Sequence, residues 1–132
     1  MKTPGPAALV LLAVAAVAAV VLWRWQPEPG IQQMRMPELS AEAQAGRRAF
    51  DLYCARCHGE HAGGSPEGPP LVHRTYQRAH HADVAFEFAV RRGVRAHHWR
   101  FGDMPAQPGV TTDEVVQITR DVRELQRANG ID

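Results

Sequence analysis

Five consecutive residues, Cys54-Ala55-Arg56-Cys57-His58, carry the clearest chemistry in this chain. Two cysteines three positions apart share one face of a helical turn, so both sulfurs can reach the two vinyl groups of one porphyrin. A histidine directly after the second cysteine then presents its imidazole to the iron. This C-x-x-C-H spacing is the attachment pattern of a c-type haem. Cys54 and Cys57 are the only cysteines, and two other chemistries compete for them. A C-x-x-C redox disulfide wants a strand-to-helix setting of thioredoxin type, whereas the flanking sequence here is helical. Half of a Cys₂His₂ zinc site is the other choice, and the chain has seven histidines. None of them forms an H-x₃₋₅-H pair at the usual separation. Haem fits the five residues best.

The elements around the motif read as helices joined by long loops. Leu39, Ala43, Gly46, Phe50 and Tyr53 recur at spacings of 4, 3, 4 and 3, one helical face, with Ser40 as N-cap. That helix leads straight into Cys54. Gly59 to Pro70 is rich in glycine and proline and reads as loop. A short helix is predicted over Asp83 to Arg92, with Val84 and Phe88 as its apolar pair, Arg91 and Arg92 at its C-terminal dipole and Gly93 as its stop. Gly102 to Gly109 is loop again and holds Met104-Pro105. Thr111-x-x-Glu114 is a capping box opening a last helix. Val115, Ile118, Val122 and Leu125 line one face of it, and Gly130 ends it. No strand of consequence and no internal repeat is visible, so the fold class is all-α.

Composition divides the chain into three parts: 1–25, 26–38 and 39–132. Ala7 to Trp23 is an unbroken apolar run of 17 residues, at the lower edge of what spans a bilayer. Small-x-small triplets at Ala13-Val14-Ala15 and Ala16-Val17-Ala18 suit a cleaved signal segment. The run continues past them into Trp23-Arg24-Trp25, which suits an uncleaved anchor with an interfacial aromatic belt. Transmembrane anchor is the reading adopted, with a soluble exported domain as the alternative. Residues 26–38 contain Pro27, Pro29, Gly30 and Pro37 and read as a linker. The remaining domain is near the size at which a protein core alone barely suffices, and a covalent porphyrin would enlarge that core. The formal charge is +1, and beyond Trp25 there are 13 Arg against 14 Asp and Glu. Nothing in this balance suggests a nucleic-acid partner.

The whole arrangement resembles the class I, single-haem c-type cytochrome family, over about Leu39 to Ile131. The resemblance implies a small helical domain around one covalent haem c, held by Cys54 and Cys57, with His58 as the proximal ligand. It implies a close crossing of the first and last helices, with Gly46 and Phe50 meeting Val122 and Leu125. The family often has an aromatic in the middle of the last helix; the nearest position here is Asp121, so looser packing is expected. Pro69-Pro70-Leu71 matches the stretch whose carbonyl accepts the proximal imidazole N–H, with Pro70 as the assigned contact. Met104, before Pro105, matches the distal methionine, a soft neutral ligand that favours Fe(II). Trp99 matches a tryptophan that packs near a haem propionate. The implied metal ligands are thus His58 and Met104.

His73, His80, His81, His97 and His98 lie between the motif and Met104, and any of them competes for the sixth position. His97 and His98 could instead bond a propionate. Arg74, Arg78, Arg91, Arg92, Arg95 and Arg100 make the same segment basic, fit for steering an acidic partner or for solvation alone. The resulting expectation is an electron carrier with no catalytic residues, on the periplasmic side of a bacterial cytoplasmic membrane. Its partners would be a quinol-oxidising complex or dehydrogenase upstream and an oxidase or reductase downstream in a respiratory chain. The alternatives are a haem-based sensor or small peroxidase with an open sixth site, or a cytochrome subunit of a larger oxidoreductase, for which the small residues of Ala13 to Val21 suit helix packing.

Overall fold

The structure is a computed structural model and describes residues 5–24 and 34–132. Five α-helices occur in it: α1 Pro6–Arg24, α2 Ala41–Tyr53, α3 Ala55–His58, α4 Asp83–Arg92 and α5 Thr112–Ala128. Two 3₁₀ turns, Glu60–Ala62 and Arg74–Tyr76, lie between α3 and α4. Among the described residues there is no strand; the extended pairings are single bridges, Ser65 with Gly68 and Val94 with Met104.

The helix ends follow from local chemistry. The Ser40 hydroxyl accepts from Ala43 N and opens α2. The Thr111–Glu114 capping box is complete in both directions at the start of α5. Gly93 ends α4 with φ of +73°, where a Cβ would meet the Met104 carbonyl and lie 3.0 Å from Ala106 N. A side chain there would be strained and would also displace the loop that carries Met104.

The domain rests on the crossing of α2 and α5. Gly46 permits it: a Cβ at this position would fall inside the Gln117 carbonyl and lie 2.8 Å from Ile118 N. Phe50, Val122 and Leu125 are fully buried around the crossing, with Val115, Ile118, Val90 and Val110 completing the core. The looser packing expected at Asp121 does not occur. Its carboxylate is 0% exposed and accepts from Arg47 Nε at 3.0 Å and Nη2 at 2.9 Å. A forked ion pair secures this position of the last helix. Burial pushes the Asp121 carboxyl up, against the downward pull of Arg47.

The apolar face of α4 is not the one expected. Val84 and Phe88 are 51% and 48% exposed, while Phe86 and Val90 turn to the core. Phe88 is exposed because it faces a cavity rather than protein.

The sequence division at residue 38 crosses an ordered contact. Most of the linker predicted at 26–38 lies outside the described residues, but Arg35 is docked on the end of α5. Its N donates to Asn129 Oδ1 at 2.8 Å, and Asn129 Nδ2 donates to its carbonyl at 3.0 Å. At the other end of the chain, α1 exposes Leu11, Leu12, Val14, Val17 and Val20. Over the described residues, no helix is long and apolar enough to cross a membrane. The transmembrane segment expected within 1–25 is therefore not found among them.

Candidate functional site

A cavity of about 380 Å³ opens between α3, α4, α5 and the loop 93–104. Its walls are mainly apolar: Phe50, Leu71, Phe86, Phe88, Val94 and Ile118 are among them. A handful of polar or ligating groups interrupt them, which is the pattern of a site for a bulky, mostly apolar group.

His58 is placed by the helical turn that α2 delivers. Its ring is buried, and Nδ1 lies 2.9 Å from the Pro69 carbonyl. A carbonyl can only accept, so Nδ1 carries the proton and Nε2 is left with its lone pair. Burial lowers the imidazole's pKa against the opposing pull of that hydrogen bond. The neutral, metal-binding form is thereby favoured. The contact assigned to Pro70 belongs to Pro69. Pro70 lies outside the cavity wall and packs against Gly64, where a Cβ would come within 3.0 Å of the proline ring.

Cys54 lines the cavity, and Cys57, one helical turn on, is exposed and lies outside the lining. Burial, reinforced by Cys57, pushes the Cys54 thiol up to about 11. No disulfide joins the two cysteines. Ser65 Oγ donates to the Cys57 carbonyl at 2.6 Å, which ties the Gly/Pro loop back to the motif.

Met104 and Trp99 line the same cavity as His58 and Cys54. Met104 is held by a two-way backbone bridge to Val94, with N···O distances of 2.9 Å in both directions. Trp99 Nε1 donates to Tyr76 Oη at 3.1 Å, and its ring stands edge-on to His73 at 5.0 Å. Of the six site residues predicted, four meet around one space, while Cys57 and Pro70 stand outside its lining. His81, His97 and His98 also reach the wall.

Sequence reasoning missed the residues that hold the far wall in place. Arg123 is almost fully buried on α5; its Nε donates to Asp83 at 2.8 Å and its Nη1 to the Tyr76 carbonyl at 2.6 Å. Nη2 donates to the His81 carbonyl. Gln126 Nε2 donates to the Leu71 carbonyl at 2.8 Å. A guanidinium adds nothing to the apolar spacing of a helix, and only the loop folding over Arg123 makes it internal. Tyr76 and Phe86 gave no spacing signal either. The basic segment is partly structural: Arg78 pairs with Asp83, and Arg91 bonds the Val110 carbonyl and Thr112. Arg92 stacks over Phe88 at 4.8 Å.

The donor set suits an iron porphyrin: a neutral imidazole, a thioether and a thiol on the walls of one apolar space. A family model, described as cytochrome C oxidase, cbb3-type, subunit III, matches residues 41–120. That span begins with α2, ends within α5 and takes in Cys54, Cys57, His58, Trp99 and Met104. No curated protein and no solved structure matches the chain. The match covers more than half of the chain and the whole cavity wall, so the chain belongs to this c-type cytochrome family, whose cofactor is covalently bound haem c.

Proposed function

We propose that this chain is a one-haem electron carrier in which His58 and Met104 are the iron ligands and Cys54 and Cys57 the thioether anchors. The bound haem supplies the Fe(III)/Fe(II) couple. His58 carries the reading: its Nδ1 is committed to Pro69 and its Nε2 is left for a ligand, on the wall that Met104 also lines. The Pro69 carbonyl fixes the imidazole's tautomer and strengthens it as a donor. Val94 and Gly93 hold the Met104 backbone in one register. Held by both His58 and Met104, the iron would offer no open position to a substrate, which is why a carrier is favoured over an enzyme, sensor or peroxidase. Phe88 and Arg92 at the mouth of the cavity offer an apolar and basic contact to an acidic redox partner.

The partners proposed are a quinol-oxidising complex or dehydrogenase upstream and an oxidase or reductase downstream. The family's description as an oxidase subunit favours a second form of the same reading, a carrier built into an oxidase complex. The domain would then sit at the periplasmic face of a bacterial cytoplasmic membrane. The exposed apolar side chains of α1 support association with a membrane.

The deep-red methionine-to-Fe(III) absorption band of the oxidised holoprotein tests the ligand set, with Met104→Ala as control. The band is expected in the parent and absent in the variant. A low-spin spectrum without the band in the parent would give the sixth position to a histidine such as His97 or His98. A high-spin spectrum would favour the sensor or peroxidase.

A further inference from the structure

A second group of ligating side chains lies beyond the Cys54–His58 segment. His80 and His81 come from the turn preceding α4, and His97 and His98 from the loop preceding Met104. The sequence separates the pairs by 16 residues, and the fold brings them together. Ring centroids lie 4.7 Å apart for His80 and His81, 5.3 Å for His80 and His98, and 5.2 Å for His81 and His98. One ligating atom from each of these three rings falls within 4.8 Å of the other two.

His81 has the arrangement of a prepared ligand. Its Nδ1 donates to the Thr75 carbonyl at 2.7 Å, which fixes the tautomer and turns the Nε2 lone pair to other use. Its own carbonyl is bound by Arg123, itself clamped by Asp83 and Gln126. The backbone under this ring is therefore tied to α5. His80 and His98 are reachable from solvent, so an ion has an entry path. Three imidazoles this close repel one another when protonated, and a cation shared between their lone pairs reverses that repulsion.

We propose that His80, His81 and His98 form a binding site for a divalent transition ion of the zinc class, beside the haem cavity. Imidazole nitrogen selects zinc, copper or nickel, whereas magnesium and calcium require oxygen ligands. Three protein ligands leave a fourth position for water. A bound ion would cross-link the turn before α4 to the loop before Met104, two segments otherwise joined through side chains. The proposal goes beyond the carrier reading and does not depend on it. His80 lies outside the haem cavity wall, although His81 and His98 belong to it.

Calorimetric titration of the haem-loaded full chain with Zn²⁺ tests the site, with the haem absorption spectrum recorded on the same samples. One ion per chain is expected. His80→Gln and His98→Gln should each weaken binding by about 100-fold, at or beyond the range reached by altering a ligand's supporting partner. His61→Gln, at a histidine that contacts Arg47 instead, should leave it unchanged. An unaltered haem spectrum in His80→Gln shows that the variant is folded and loaded. Absence of saturable binding in the parent overturns the proposal, as does binding undiminished in both cluster variants. Cluster variants that shift the haem spectrum while Zn²⁺ binding persists would assign these histidines to the haem, and also overturn it. The spectrum of the parent reports separately on the carrier reading.

Discussion

The two walls of the cavity are built on different principles. On the His58 wall, helices do the positioning: α2 runs into the motif, α5 crosses α2 at Gly46, and the imidazole is buried and tied to a backbone carbonyl. On the Met104 wall, the chain from 93 to 104 is loop, half-exposed, closed on itself by one backbone bridge and tied through Trp99 to Tyr76 in the loop that side chains reaching out of α5 hold. Helix packing spreads its free energy over many contacts, so no single side chain decides the position of His58. The loop wall depends on a few polar groups, and each has a local effect. The difference predicts a rigid proximal side and a distal side that opens by itself.

The largest effect is expected where the helical frame concentrates its charge. Arg47→Leu would leave Asp121 buried without its partner, which costs about 3–5 kcal/mol. Denaturant unfolding of the holoprotein, followed by helical circular dichroism, reads that loss. The pH dependence has a definite sign. Burial already raises the Asp121 pKa, and removing Arg47 raises it further. The folded variant then favours the protonated acid, so its deficit is greatest at neutral pH and shrinks as the solution is acidified. A deficit independent of pH would mean that the crossing does not rely on this pair.

The middle effect belongs to the loop wall. Arg123→Met keeps most of the side-chain volume but removes donors to the Tyr76 and His81 carbonyls and to Asp83. Leaving buried acceptors unpaired costs about 1–3 kcal/mol. Hydrogen exchange separates this from a global loss. Amides between residues 73 and 82 should exchange faster, while those of α2 and α5 keep their protection. Equal acceleration in all three segments would erase the contrast between the walls.

The same contrast explains what the sequence made legible. Helical periodicity and caps are local signals, so α2, α4 and α5 were predicted with Ser40, Gly93 and Thr111 at their ends; the place of Gly46 in the crossing came from the family resemblance. The attachment motif and Met104-Pro105 were equally local. Long-range choices were not. Which face of α4 meets the core depends on the cavity beside it, so Val84 and Phe88 were given the place that Phe86 and Val90 hold. Whether Pro69 or Pro70 bonds His58 turns on one residue of loop register. Asp121, Arg123 and Gln126 carry no apolar signal, and their burial follows only from partners 74, 40 and 55 residues away.

The smallest effect tests the outermost tie of the loop wall. Partial burial tends to raise the Asp83 carboxyl, but Arg123 and Arg78 outweigh it and hold the group below the usual aspartate range. A depressed folded pKa contributes stability that is present above the ordinary aspartate value and is lost as pH falls through the folded value. The carboxylate is partly exposed, so its pairs are worth at most about 1 kcal/mol. Asp83→Asn should therefore lower the unfolding midpoint slightly at neutral pH. The gap between variant and parent should stay constant down to the ordinary aspartate range and close only below it. The same substitution should quicken exchange at 73–82 by less than Arg123→Met does, since Arg123 keeps its bonds to the Tyr76 and His81 carbonyls. Were Asp83→Asn to match Arg123→Met in that segment, the carboxylate would be the element holding Arg123 in place, and the loop wall would hang on a single surface charge.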